Sequence, residues 1–476
     1  MRVFRTQMSL LDTYVDVLST AEEDKPEFIK LLEEHININD LIPNELRYAF
    51  YSRFGRPREY SLESFVRLLL LQKILGIHFD SVLISVLRLS RELRGFCGFF
   101  KVPDASKITR FRQDFAGYLK LMFDQLVEIT EPICREIDPK KADYLIYDPT
   151  GIKAYVAENN PKFLNGKLVG AKKLSRKYPE INPHSLAYSM MPDTSATNPF
   201  VKQQYINGHF CYAHKVGVLA NGLGIVRDIA FFDEDFKRRH PDVVSKKTDN
   251  PALDKEIGDS TSLKPVLYDF FHTHPTFSYK TFIGDSSFDT YDNYMMLRDE
   301  FLFERMAIPL NNRNSSGKHG DFDADGTPVC PLDKTPFIYI GRSPGKNRSL
   351  RFKWVCHKSE PVPKSSKRHC TCDTPCTESS YGRCVYTYPD KNLRLYPGIP
   401  RGTEHWDNLY RHRVLVERSI NILKDPLGGV DRKSFSSRTA KADFLIAGIV
   451  QLIGVVIAHA IKKPELYKSI RKLVAV

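Results

Sequence analysis

The sequence predicts an α/β protein of several domains, in which a helical N-terminal region precedes a region of short strands that carries a cysteine-rich insertion. Helical periodicity dominates from about residue 25 to 130, short β-prone runs ending in Asp follow it, and six cysteines cluster between residues 311 and 395. The chain has 476 residues, of which 42% are hydrophobic and 27% charged. This length favours roughly two to four folding units, and the composition is that of a globular protein.

The charge balance indicates a polyanionic partner. Seventy Lys and Arg residues against fifty-seven Asp and Glu leave a net charge of +13, which favours nucleic acid first and an anionic membrane surface second. No secretory signal is visible at the start, so a cytoplasmic location is expected. Residues 444–461 are uncharged and reach the lower length limit of a membrane span, but two glycines, a Gln and a His interrupt them. We therefore expect a buried C-terminal helix.

Residues 1–135 are predicted to form a helical DNA-binding domain. Ser61 is expected to cap one helix, and another helix begins after Asp104. The second helix carries an apolar stripe at three- and four-residue spacing, formed by Ile108, Phe111, Phe115, Tyr118 and Met122. Lys107, Arg110 and Arg112 project from its other faces and are predicted to contact DNA. The alternative is an ordinary helix with solvated basic residues.

Two β-prone runs in residues 140–310 each end at an aspartate. YLIY (residues 144–147) leads to Asp148, and TFIG (residues 281–284) leads to Asp285, with Ser286 and Ser287 as expected caps of the next helix. Carboxylates that follow neighbouring strands converge at one edge of a sheet, and clustered oxygen ligands of this kind suit Mg²⁺. The sequence therefore predicts a metal site there.

Two further patterns lie between these acids. Asn221 and Gly222 separate two strand-like runs and predict a hairpin. Residues 154–211 are polar and contain several prolines, which predicts an extended loop or insertion. Its clustered cations could follow a phosphate backbone or form an ordinary solvated surface.

A third acid stands on a helix with an unusual polar face. Tyr410, Arg413, Glu417, Asn421 and Lys424 recur at three- and four-residue spacing on that face. Val416, Ile420 and Leu423 form a second, apolar stripe that can dock the helix on a sheet. An acid between two cations suits a metal beside a DNA phosphate. The alternative is a surface helix laced with ion pairs.

These residues resemble a known family. Tyr410-x2-Arg413-x3-Glu417-x6-Lys424 is similar to the Y-R-E-K signature of bacterial insertion-sequence DDE transposases, and Asp148 and Asp285 resemble the two preceding acids of that family. The resemblance is close over residues 140–310 and 400–460, and the helical front is similar to the DNA-binding segment of the same proteins.

The resemblance implies an RNase H-like catalytic domain, a mixed sheet flanked by helices, built from residues 140–310 and 396–476. Asp148, Asp285 and Glu417 would bind two Mg²⁺ ions, for which Mn²⁺ can substitute, while Tyr410 and Lys424, together with Arg413, would contact DNA. The reaction implied is hydrolysis at the terminal repeats of an insertion sequence, followed by attack of the freed 3′-hydroxyl on target DNA. The partner would be double-stranded DNA held by a homodimer or larger oligomer in the bacterial nucleoid. Three nearby acids, Asp143, Asp289 and Asp292, are competing choices of metal ligand. They lack the strand-terminal position or lie inside the following helix, so they are predicted to be caps or surface residues.

Residues 311–395 are predicted to be an inserted subdomain. Its six cysteines are Cys330, Cys356, Cys370, Cys372, Cys376 and Cys384. Clustered thiols in a cytoplasmic protein favour a structural Zn²⁺ over disulfides. The spacing departs from paired C-x2-C motifs, so reduced, unliganded thiols remain the alternative.

Two other functions share many of these features. A non-catalytic DNA-binding protein, such as a decayed transposase copy on the same fold, would share the basic charge and the helical front without needing all three acids. A metal-dependent nuclease of the same fold would keep the acids but would join no DNA ends.

Overall fold

The computed structural model describes residues 26–51, 57–206, 209–243, 257–311, 321–343, 349–429 and 434–468. The chain forms two compact units. The helical unit consists of Met1–Ile133, Lys153–Tyr155 and Asn421–Val476, and the sheet unit of Cys134–Ile152 and Val156–Ile420.

All described elements before the first strand are helices. They are α1 (Glu27–His35), α2 (Ile38–Leu41), α3 (Asn44–Phe50), α4 (Leu62–Ile74), α5 (Asp80–Leu89), α6 (Arg91–Phe96), α7 (Ala105–Ile137) and α8 (Pro139–Ala142). The predicted cap of α4 is confirmed, because the Ser61 hydroxyl accepts a hydrogen bond from the backbone N–H of Ser64. The predicted apolar stripe of α7 is also confirmed: Ile108, Phe111 and Phe115 are at most 5% exposed.

The last long helix, α16 (Ser437–Ala460), belongs to the helical unit. Among the described residues it is the one helix long and apolar enough to cross a membrane, yet most of it is buried inside the protein, as predicted. Asp443 on α16 pairs with Lys73 of α4 at 3.2 Å and with Arg112 of α7 at 3.1 Å. These contacts join α16 to the N-terminal helices. The compact division of the chain thus places Asn421–Val476 with the helical unit, and the assignment of residues 396–476 to a catalytic domain stays a prediction.

The sheet unit is built on six strands with the order β2-β3-β1-β5-β6, in which β4 also pairs with β3. The strands are β1 (Tyr144–Lys153), β2 (Lys202–Ile206), β3 (His209–Asn221), β4 (Val226–Phe231), β5 (Thr281–Ile283) and β6 (Arg305–Ala307). Strands β5 and β6 are parallel to each other, and β5 is parallel to β1. The predicted hairpin is confirmed: β3 and β4 are antiparallel, and the Asn221 side chain accepts from the N–H groups of Leu223 and Ile225.

Helices pack on this sheet around one hydrophobic core. They include α12 (Asp259–Thr273) and α13 (Tyr291–Asp299), whose buried side chains meet those of β1 and β5. Tyr147, Leu267 and Phe282 are fully buried members of this core. Such a core fixes the positions of the residues at the ends of β1 and β5.

The region predicted to be an extended loop contains two helices, α9 (Pro161–Lys177) and α10 (Pro183–Ser189). That prediction was wrong because both prolines occupy the first helical position, where proline needs no N–H partner. Asn160 and Asn182 precede them, and their side chains accept hydrogen bonds from the first-turn N–H groups. A short helix, α11 (Glu234–Arg239), follows β4.

The cysteine-rich segment forms its own small sheets. Strands β7 (Ile338–Ser343), β8 (Arg351–Val355) and β11 (Cys384–Thr387) make one, and β9 (Ser359–Pro361) and β10 (Arg368–Cys370) make the other. Trp354 and Phe352 lie in its core. The chain then returns to helices α14 (Glu404–Tyr410) and α15 (Val414–Lys424), which are joined by a 3-10 turn, Arg411–Arg413.

Candidate active site

Asp148 lies on β1, directly after four buried residues. The run is β-prone and fully buried because β1 stands inside the sheet, between β3 and β5. The strand continues to Lys153, so Asp148 does not end it, contrary to the sequence prediction. The parallel pairing with β5 does stop at Ile146, however, and the Asp148 side chain is only 18% exposed.

Asp285 follows β5 at the same edge of the sheet. Gly284 precedes it, and a Cβ at Gly284 would come within 2.7 Å of the Phe288 ring, so the tight turn requires glycine. The Asp285 carboxylate accepts from the N–H of Ser287 and caps a single 3-10 turn. The predicted serine caps were therefore wrong. The cap of α13 is Thr290.

The third acid, Glu417, lies on α15. The predicted single helix is interrupted by the 3-10 turn, but Tyr410, Arg413 and Glu417 keep their relative spacing across it. The predicted apolar stripe of α15 is confirmed, because Val416, Ile420 and Leu423 are at most 4% exposed. The Ser419 hydroxyl donates to the carbonyl of Gly224 at 3.1 Å, which holds α15 against the β3–β4 turn.

The three predicted acids converge on the guanidinium of Arg413. Its nitrogen atoms lie 2.6 Å from Glu417, 3.7 Å from Asp148 and 3.9 Å from Asp285. All three side chains keep access to solvent, with exposed fractions of 18%, 33% and 43% for Asp148, Asp285 and Glu417. One formal positive charge thus faces three formal negative charges in an accessible cluster.

Burial and the charges of the cluster shift the pKa values of Asp148 and Arg413. Burial is the main cause that raises the pKa of Asp148 to about 7; Arg413 acts to lower it, and the nearby carboxylates of Asp285 and Glu417 act to raise it. For Arg413 itself burial acts to lower the pKa, but Asp148 and Glu417 outweigh that effect and raise it. Burial, reinforced by the neighbouring carboxylates, therefore makes Asp148 take up a proton more readily than an ordinary aspartate does.

The neighbouring acids have other roles. Asp289 is fully buried and accepts two hydrogen bonds from Arg394, at 3.1 and 2.5 Å, so its predicted role as a cap or surface residue was wrong. Asp143 lies 3.9 Å from Arg135. Asp292 is an exposed residue of α13, as predicted.

The donor set of the acidic cluster fits a divalent cation. Carboxylate oxygens are the ligands that Mg²⁺ prefers, and the cluster lacks positive charge. The coordination sphere is not preformed, because no three His, Cys, Asp or Glu side chains of the described residues are already spaced to hold a metal ion. A cation that entered the cluster would have to replace contacts now made by Arg413.

The three basic residues of α7 that were predicted to contact DNA differ in their exposure to solvent. Arg112 is fully buried and donates to Asp80 at 3.0 Å and to Gln72, so its predicted DNA contact is wrong. Lys107 is partly exposed and pairs with Glu59. Arg110 is exposed.

The predicted zinc ligands lie in the cysteine-rich sheets. All six thiols are free, Cys330 and Cys356 are buried, and the other four are partly exposed. Burial raises the pKa of the Cys356 thiol, and the nearby thiols of Cys330, Cys372 and Cys376 raise it further. These four cysteines are therefore neighbours, and zinc binding by the block stays a prediction.

Three features of the sheet unit were missed by sequence reasoning. Asp259, in the first turn of α12, is a fourth acid that raises the pKa of Asp148, and it pairs with Lys215 at 2.5 Å. The Trp406 ring stacks on Tyr410 with 4.9 Å between centroids. No local motif marks Asp259, whereas the four-residue spacing of Trp406 and Tyr410 could have been noticed. The third feature is α9, whose cations were assigned to a loop.

Comparison with known proteins found a family match, in the N-terminal part of the chain, and a similar solved structure. Residues 17–114 match the family model described as a transposase domain, DUF772. The whole chain is similar to a chain of the cryo-EM structure of a piggyBac transposase synaptic complex with hairpin DNA, at 12% identity and a TM-score of 0.37, over 94% of this chain and 78% of that one. No curated protein matches the chain.

Proposed function

We propose that this chain is a DDE transposase of a bacterial insertion sequence, a metal-dependent enzyme that cuts DNA at terminal repeats and joins the freed 3′-hydroxyl to target DNA. The observation that carries the proposal is the convergence of Asp148, Asp285 and Glu417 around a single arginine. The transposase-domain match over residues 17–114 supports transposition in general. The order of the strands, with an antiparallel hairpin on one side of β1 and two parallel strands on the other, is compatible with an RNase H-like fold.

In this proposal Asp148, Asp285 and Glu417 hold two Mg²⁺ or Mn²⁺ ions. Bound at these oxygens, the ions would activate the attacking oxygen and stabilise the leaving one. A divalent cation held at these oxygens would favour the deprotonated form of Asp148, whose pKa is raised to about 7 by burial and by the neighbouring acids. The need for a free carboxylate makes Asp148 the ligand most sensitive to pH.

The remaining residues of the polar face act on DNA. Arg413 exchanges part of its carboxylate contacts for a phosphate, which a guanidinium can grip with two hydrogen bonds. Tyr410 is held by the ring of Trp406 and positions its hydroxyl beside the acids. Lys424, at the end of α15, acts as a point charge for the backbone, and Lys107 and Arg110 add contacts from α7. A dimer or larger oligomer holds two element ends together, in the cytoplasm at the nucleoid.

The direct test uses labelled DNA that carries the terminal repeats, with Mg²⁺ or EDTA, and the variant Glu417→Gln. We expect nicks at the element boundary and joined products with Mg²⁺, and a loss of both by about a thousand-fold or more in the variant, since a lost metal ligand removes several kcal/mol of transition-state stabilisation. DNA binding should persist. Glu404→Gln, an exposed acid of α14, is the matched control and should cut normally.

Three outcomes would contradict the proposal in different ways. Equal cleavage by wild type and Glu417→Gln would remove Glu417 from the site. Cleavage without joined products would leave a nuclease. Binding without cleavage, under conditions in which a transposase of this type works, would favour the non-catalytic DNA-binding protein.

A further inference from the structure

Helix α9 in the sheet unit has an unusual charge distribution. Its seventeen residues contain six cations and no acid. At about 100° per residue, five of the six fall within one arc of about 140°, opposite the buried Ala171. They are Lys162, Lys172, Lys173, Arg176 and Lys177. All five are exposed. We call this surface the basic face of α9.

No acidic partner of these cations occurs among the residues that the structure describes. Within the part of the chain that the structure describes, none of the five forms an ion pair, and Lys177 contacts only the ring of its neighbour Tyr178. Like charges four residues apart, as in the pairs Lys172–Arg176 and Lys173–Lys177, destabilise an isolated helix by about 0.2–0.5 kcal/mol each. The helix dipole favours Arg176 and Lys177 in the last turn, but not Lys162 near the first. Helix stability therefore does not explain the pattern.

Helix α11 of the same unit provides an internal comparison. It also ends in three cations, Lys237, Arg238 and Arg239. Each has an acid: Lys237 lies 3.1 Å from Glu234, Arg238 pairs with Asp235, and Arg239 pairs with Asp269. These cations are neutralised within the protein, whereas those of α9 are left for an external anion.

We propose that the basic face of α9 binds the phosphate backbone of duplex DNA, as a contact separate from the acidic cluster and from α7. The proposal rests on the proposed function only in taking DNA as the polyanion. A membrane surface fits less well, because Ala171 is buried, Leu164 and Leu168 are partly buried, and the exposed aliphatic side chains Val169 and Leu174 are fewer than the exposed cations. Four of the five cations lie within the last six residues of α9, and such a dense group of exposed positive charges suits the closely spaced phosphates of DNA.

The test compares two triple variants of the full chain that remove equal charge. One carries Lys173→Gln, Arg176→Gln and Lys177→Gln on α9, and the other carries Lys237→Gln, Arg238→Gln and Arg239→Gln on α11. Binding to a short duplex of unrelated sequence is measured in EDTA over a range of salt concentrations. We expect the slope of log K against log salt to fall by about two to three for the α9 variant, because each phosphate contact contributes about 0.9. The α11 variant should lose less than about one.

Each other outcome overturns the inference. Equal slopes for the two variants would mean that only net charge matters, and an unchanged slope for the α9 variant would place the contacts elsewhere. Wild-type binding to anionic phospholipid vesicles that depends on α9, with unaltered DNA binding, would assign the basic face to a membrane. If the wild-type protein bound no duplex at all, the proposed function itself would fail. Thermal melting of both variants checks that they fold.

Discussion

Two arginines gather acidic side chains, one in each unit, and they differ in charge balance and in access to water. In the helical unit Arg112 and Lys73 face Asp80 and Asp443, two cations against two acids, and the Arg112 side chain is 0% exposed. In the sheet unit Arg413 is the one described cation that contacts Asp148, Asp285 and Glu417, and it is 25% exposed. Among the described contacts the first network is buried and balanced in charge. The second is open and lacks positive charge.

The difference separates a structural network from a binding site. A buried and balanced network has no use for another ion, and removing one member leaves a charge that water cannot reach. An accessible cluster with excess negative charge attracts a cation, and burial, together with the neighbouring carboxylates, raises the pKa of Asp148. Sequence spacing alone cannot distinguish the two, because both arginines lie on helices rich in polar residues.

The largest expected effect breaks the closed network. Arg112→Met should lower the stability of the helical unit by about 3–5 kcal/mol, because Asp80 and Asp443 are left short of positive charge in the interior. Arg413→Met should change stability by less than about 1 kcal/mol, since its partners keep access to water. Hydrogen exchange of peptides from α4 and α16, measured by mass spectrometry, reports on this unit. Equal protection in Arg112→Met and wild type would contradict a structural role for the network.

The second effect concerns pH. The pKa of Asp148 in the folded protein, about 7, lies above its ordinary value of 3.8. The folded chain therefore holds a proton that the unfolded chain has released, and this contribution to stability is lost as the pH rises from about 4 to 7. Asp148→Asn cannot titrate at this position, so its stability should not fall between pH 4 and 7 for this reason. Near pH 8 in EDTA, its free energy of unfolding should exceed that of wild type by about 1–3 kcal/mol.

Tryptophan fluorescence during urea unfolding can measure this effect. The two tryptophans of the chain, Trp354 and Trp406, both belong to the sheet unit. Asp292→Asn, at an exposed position of α13, is the control and should keep the wild-type pH dependence. Parallel curves for Asp148→Asn and wild type would show that Asp148 is not held in its protonated form.

The third effect is on the affinity of the acidic cluster for a divalent cation. Arg413→Gln removes the cation that contacts all three carboxylates, so Mn²⁺ should bind up to about tenfold more tightly in the absence of DNA. Glu417→Gln should weaken the same binding. Arg411→Gln, which removes a nearby cation bonded to Asn408, is the matched control. Electron paramagnetic resonance of free Mn²⁺ gives the affinities. Weaker binding by Arg413→Gln would mean that Arg413 arranges the acids for the metal instead of competing with it.

The sequence predicted the open site better than the closed network. Asp148 and Asp285 were predicted from β-prone runs, and Glu417 was predicted from helical spacing. In the structure all three carboxylates lie near the guanidinium of Arg413. Arg112 was misjudged because its partner Asp443 lies far away in the sequence, on the last long helix. The tertiary fold brings Asp443 to Arg112, and no local sequence pattern predicts this contact.

Local chemistry also explains the misplaced helices. The prolines at 161 and 183 suggested a loop, although proline is favoured in the first turn of a helix and both follow an Asn that can act as a cap. The same consideration would have revealed the basic face of α9 before the structure. By contrast, the interruption between α14 and α15 depends on packing and leaves no clear mark in the sequence.

The smallest effect distinguishes two arginines that are neighbours on α7. Arg110 is exposed and Arg112 is fully buried, although both were predicted to touch DNA. Arg110→Ala should reduce the salt slope of DNA binding by about one and change stability by less than about 0.5 kcal/mol. Arg112→Met, studied at a temperature where it stays folded, should bind DNA with the wild-type slope. If instead Arg112→Met lost slope while Arg110→Ala did not, α7 would have to open on DNA to expose its buried charge, and the contrast between a closed and an open network would fail.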